Sequence, residues 1–131
     1  MTLALRYLAG RDRTEAQVLA YLERRGVDAP TARGIIRRLR QQRYLDDDAY
    51  ARRWAAERLQ RRPMGRERLQ AELLARGIPA AMAARATEHA FGDVSEEALA
   101  RKVLAVGTRN ASRLRRYGFS EETIDAVLPQ P

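Results

Sequence analysis

Leu73-Leu74-Ala75-Arg76-Gly77-Ile78 is the stretch from which the fold can be read. A leucine, a glycine four residues later and an apolar residue after it describe a helix stopped by a residue free to turn left-handed. The pattern recurs at Leu22, Gly26 and Val27, and again at Leu114, Gly118 and Phe119. Six and nine residues beyond each glycine stand Ala32 and Ile35, Ala83 and Ala86, then Ile124 and Val127. One helix–turn–helix unit therefore occurs three times, which is the signature of a repeat architecture.

The flanks supply the remaining helices. Thr14 and Gln17 form a capping box that opens a helix burying Val18, Leu19 and Leu22. Asp28 and Pro30 start a second, with Ala32, Ile35, Ile36 and Leu39 as its apolar stripe. Asp46, Asp47 and Asp48 begin a long one that runs to about Arg62, where Pro63 and Gly65 end it. Leu69, Leu73 and Leu74 mark the helix ending at Gly77; Pro79, Ser95, Thr108 and Ser120 open four more. Strand-like alternation is absent. The expected fold is all-α, three tandem three-helix modules over 1–44, 45–92 and 93–131, elongated and curved. Each module is too small to bury a sizeable core alone, so neighbours must pack. A single globular bundle is the competing arrangement.

Composition narrows the function. The chain of 131 residues has no cysteine, which removes disulfides and thiolate metal sites. His89 is the only histidine, so neither a two-histidine metal site nor a Ser–His–Asp triad can form. No stretch approaches a membrane span, and the N-terminal apolar run, broken by Arg6 and Arg11, has no cleavage-like signature. A cytoplasmic protein is expected. The net charge is +8, and Lys102 is the one lysine among 25 basic residues. A nucleic acid, or a complex containing one, is the natural partner of such a surface.

Two groups of arginines are candidates for that contact. In the central stretch Tyr44 to Leu69, Arg58, Arg61 and Arg62 fall on the same helical arc as Tyr50 and Trp54. Guanidiniums among aromatic rings suit phosphates, acidic protein surface or stacking; alternatively the rings are core and the arginines extend from its edge. Charge reversal at Arg58 and Arg62 is expected to weaken partner binding without unfolding the chain. Arg33, Arg37 and Arg40 form a second row, opposite an apolar stripe. It reads as a phosphate-contacting face or as a solvated basic surface. The aspartate run is better explained by capping than by a magnesium site. No nucleophile context and no glycine-rich phosphate loop is present, so catalysis is not expected, nor is a cofactor.

These residues also carry a resemblance. Tyr44-Leu45-Asp46-Asp47, Tyr50-Ala51-Arg52, Arg58-Leu59, Gly65-Arg66, Leu69, Glu72-Leu73 and Arg76-Gly77-Ile78 resemble the central signature of the RecX family. Thr14-Glu15 through Leu22 with Arg24-Arg25-Gly26, and Arg115 through Ser120 with Ile124 and Val127-Leu128, resemble its flanking modules. The resemblance implies tandem three-helix repeats that bind the RecA–single-stranded-DNA filament and suppress its ATP hydrolysis and strand exchange. It further implies weaker direct binding to DNA and no enzymatic activity. Arg52, Arg53, Arg58, Arg61, Arg62, Arg66 and Arg68, with Arg33, Arg37 and Arg40, are the expected contacts, and a monomer is expected. A helix–turn–helix regulator acting on DNA alone and a protein-interaction adaptor are the other readings. Asn110 departs from the pattern, standing where the other modules have Val18 and Leu69.

Overall fold

The computed structural model describes residues 1–129; Gln130 and Pro131, the last two positions of the expected third module, lie outside the described residues. Among the described residues the only regular elements are nine α-helices: α1 (Thr2–Leu8), α2 (Glu15–Arg24), α3 (Ala29–Gln41), α4 (Asp47–Arg61), α5 (Arg66–Ala75), α6 (Ala80–Ala90), α7 (Glu96–Leu104), α8 (Ala111–Arg116) and α9 (Glu121–Val127). Their starts follow local chemistry. The Thr14 hydroxyl accepts from the Gln17 amide while the Gln17 side chain accepts from the Thr14 amide, closing the capping box. Asp28, Asp46, Ser95, Asn110 and Ser120 cap α3, α4, α7, α8 and α9 through single side-chain acceptors.

The three repeated glycines end α2, α5 and α8 in the same way. Gly26, Gly77 and Gly118 take φ of 85°, 86° and 86°. The following amide of Val27, Ile78 or Phe119 donates back to the carbonyl of Leu22, Leu73 or Leu114. This is the Schellman arrangement, and it explains why each leucine is paired with an apolar residue after the glycine.

Packing sorts the helices into triplets: α1 and α3 on α2, α4 and α5 on α6, α7 and α8 on α9. One apolar cluster holds Val18, Leu22, Ala32, Ile36, Leu39 and Leu45. A second runs continuously from Tyr50 to Ile124, through the second and third triplets. Leu74 is the exception among the apolar positions read as helix stripe, standing 45% exposed, because the stripe of α5 is used up by Leu69 and Leu73.

Two local features differ from expectation. α3 also ends in a Schellman turn, but its left-handed residue is Arg43, φ 64°, not a glycine. A side chain is strained there, so Arg43→Gly is expected to raise stability by about 1 kcal/mol, read as a higher denaturation midpoint. α8 starts at Ala111, not near Thr108, and Asn110 is its N-cap. α8 has lost its first turn relative to α2 and α5, which is why a polar residue stands where they place core. The Arg113 guanidinium braces the shortened segment by donating to the carbonyls of Val103, Val106 and Thr108.

Between triplets the helices meet end to end. The Thr14 hydroxyl, at the start of α2, donates to the Arg76 carbonyl at the end of α5 (3.3 Å). The Gly65 amide, at the start of α5, donates to the Tyr117 carbonyl at the end of α8 (2.8 Å). Partial positive helix starts thus face partial negative helix ends. A carboxylate secures each junction. Asp47, the first residue of α4, accepts from the Glu15 amide, the first of α2 (2.9 Å). Glu96, the first residue of α7, accepts from the Arg66 amide, the first of α5 (3.4 Å). The same capping device therefore joins the first triplet to the second and the second to the third.

Candidate binding surfaces

The arginines expected at the interface divide into two sets by what they touch. Arg40 bonds Glu15, Arg53 bonds Asp12 at 2.8 Å, and Arg52 lies 3.8 Å from Asp48. These pairs are largely exposed and contribute little to stability. Arg58 is half-buried and donates from Nε to Glu72 at 2.8 Å; Arg68 approaches the same carboxylate at 3.4 Å. Arg66 reaches Glu88 and the buried Glu96. Arg58 therefore ties α4 to α5, and Arg66 ties α5 to α6 and α7, while Arg68 pairs within α5. Reversing the charge of Arg58 would put two carboxylates face to face, so the expectation that it can be reversed at no structural cost does not hold.

Arg33, Arg37, Arg61 and Arg62 remain. All four are exposed, and none pairs with a carboxylate among the described residues. Arg61 projects at a cleft of about 430 Å³ between the α1–α2 loop, α4 and α5, which Arg11, Trp54 and Arg76 also line. Tyr50 is buried and Trp54 half-buried against the core, as the reading of the rings as core has it. The link was not legible in sequence: the Arg76 guanidinium lies 4.6 Å over the Trp54 ring and donates to the Tyr50 hydroxyl at 3.1 Å. Arg62 lies near Tyr117. There the Arg113 guanidinium, and after it Arg62, hold the Tyr117 hydroxyl below its ordinary range.

Arg33 and Arg37 flank a different feature, a groove of about 360 Å³ between α2 and α3 floored by Ala16, Leu19 and Ile36. The aspartate run is accounted for by the helix ends: Asp46 caps α4 and Asp47 caps α2, while Asp48 lies beside Arg52. Burial pushes the Asp47 carboxyl above its ordinary range. Among the described residues no group of three His, Asp or Glu side chains gathers to hold a metal, and no helix is long and apolar enough to cross a membrane. Among the described residues these surfaces offer cations, ring faces and an apolar groove.

Residues 1–39 match the family model described as "RecX, first three-helix domain", and residues 46–86 match "RecX, second three-helix domain". The chain is 36% identical over 127 residues to the regulatory protein RecX of Thermus thermophilus, covering 97% of this chain and 77% of that one. It is 30% identical over 137 residues to the regulatory protein RecX of Geobacillus thermodenitrificans, covering 95% of this chain and 51% of the relative. The chain thus spans about half the length of the Geobacillus protein. Its backbone is similar to the crystal structure of RecX from Lactobacillus salivarius, with a TM-score of 0.79 at 23% identity over 95% of this chain and 88% of that one.

Proposed function

The chain belongs to the RecX family, and from that premise we propose that it regulates RecA by binding the filament RecA forms on single-stranded DNA. Binding inhibits ATP hydrolysis, recombinase activity and strand exchange, and so regulates recombination, DNA repair and the SOS response. It does so from the cytoplasm, without chemistry of its own. The three modules, divided near residues 44 and 92, act as a series of contacts, and naked DNA is the weaker ligand. Inhibition follows from preferring one filament state over another, since a ligand shifts an equilibrium only by its differential affinity.

The observation that carries this reading is that, of the ten arginines expected as contacts, four are exposed with no carboxylate partner among the described residues, Arg33 and Arg37 on one triplet, Arg61 and Arg62 on the next. Cations distributed over successive modules suit a partner whose anionic groups repeat. Arg61→Glu with Arg62→Glu is expected to reduce inhibition at least tenfold on the order-of-magnitude rule for charged contacts, with stability changed by only about 0.5 kcal/mol. A parallel loss of helicity would make these residues structural, and unchanged inhibition would remove them from the interface.

The deciding experiment titrates the chain into RecA hydrolysing ATP on single-stranded DNA, from well below one per protomer, in moderate salt. Inhibition at substoichiometric ratios supports action on the filament. Inhibition only once the DNA is saturated would favour a basic protein masking DNA. That binding would weaken with a log–log salt slope of about −0.7 per neutralised phosphate.

A further inference from the structure

We infer that the groove between α2 and α3 is a docking site for an acidic amphipathic segment of a partner protein. Ala16, Leu19 and Ile36 form its floor, and Arg33, Arg37 and Arg40 rise along its α3 side. The lining is mostly apolar, which a phosphate backbone cannot use. A peptide whose apolar side chains enter the groove and whose carboxylates meet the arginines satisfies both parts at once. Among the described residues Arg33 and Arg37 have no carboxylate partner to leave, whereas Arg40 is held by Glu15 at 2.6 Å and closes the end of the groove.

The repeat itself provides the comparison. Fifty-one residues on, the matching positions of the second triplet are Gln70 for Leu19, Thr87 for Ile36, Ala84 for Arg33 and Glu88 for Arg37. There the Thr87 hydroxyl turns inward to the Ala83 carbonyl, and Glu88 meets Arg66. In the third triplet the position of Arg33 is Asp125. Among the described residues the second module has lost the apolar floor, and the third keeps Ala111 and Leu128 at the floor positions but no cation at the matching rim positions. A feature confined to one copy of a repeat is not required by the fold, since the fold is built twice without it.

The inference does not rest on the filament reading, and its test contains no recombinase. Fluorescence anisotropy of the full chain would be followed with labelled peptides of about twelve residues, leucines spaced three and four apart with glutamates between them. Polyglutamate, the same peptides with glutamine for glutamate, and oligothymidylate serve as comparisons. Among the peptides, saturable binding is expected only for those carrying both leucine and glutamate, and oligothymidylate should not displace them. Arg33→Glu with Arg37→Glu should weaken it roughly tenfold or more. Leu19→Gln, which copies the second triplet, should weaken it without changing the melting midpoint of the chain by more than a few degrees. Equal binding of polyglutamate, indifference to the arginine reversals, displacement by oligothymidylate at equal charge, or no saturable peptide binding would each overturn the assignment.

Discussion

Gly118→Ala will lower the unfolding free energy by roughly 3 kcal/mol or more, far beyond what the same change does at Gly26. Both glycines have the same left-handed backbone, φ 86° and 85°. A methyl group therefore costs each about 1 kcal/mol for the conformation alone. At Gly26 a Cβ would meet nothing within 4 Å, so that is the whole effect. At Gly118 it would stand 2.5 Å from the Arg68 backbone nitrogen and 2.9 Å from the Arg68 Cα, in the first turn of α5. Backbone cannot move aside as a flexible side chain can, so the end of α8 must separate from the start of α5. The Gly65 amide would then lose the Tyr117 carbonyl. Denaturant midpoints of the two variants, compared with the parent chain, check this; equal losses would mean the triplets do not meet as described.

Glu96→Ala is expected to cost about 2–3 kcal/mol, the second-largest effect of a single substitution here. The carboxylate is 7% exposed and serves three donors: the Arg66 amide, the Ser120 amide at 3.2 Å, and the Arg66 guanidinium at 3.0 Å. Its removal leaves two amides at helix starts without an acceptor and a guanidinium without its buried counter-charge. Glu96→Gln keeps an oxygen for the amides and loses the charge, so about 1 kcal/mol is expected of it. Arg66→Ala in the Glu96→Ala background should cost less than in the parent, and the double-mutant cycle measures that coupling. Additivity within the error of the cycle would show that the two residues act separately.

The chain order of helices was legible because their ends are written in local residues: Thr14 with Gln17, Asp28 before Pro30, the three glycines, Ser95, Ser120. Family and architecture followed from the repeat and the central signature. The junctions were not legible. Asp47 reads as part of a capping run and Glu96 draws no notice in the sequence; only the fold shows that each caps a helix of the preceding triplet, 32 and 30 residues away. Arg43 was missed because its left-handed turn is imposed by the packing of Leu39 and Leu45 and not by a residue that prefers it. The division of the arginines into paired and unpaired was likewise invisible. Arg58 and Arg61 are three residues apart on one helix, yet only Arg58 meets a glutamate, supplied by α5. Helical spacing predicts the face a side chain occupies; the neighbour waiting there belongs to another part of the chain.

Because each junction carboxylate lies downstream of the helix it caps, a growing polypeptide makes its helices before their caps. α2 leaves the ribosome with Glu15's amide still awaiting Asp47, and α5 likewise waits for Glu96. The first and second triplets reach their final stability only when the beginning of the next has been translated. A nascent chain halted near residue 44 would hold a first triplet more prone to fraying, and to proteolysis, than the same residues in the finished protein.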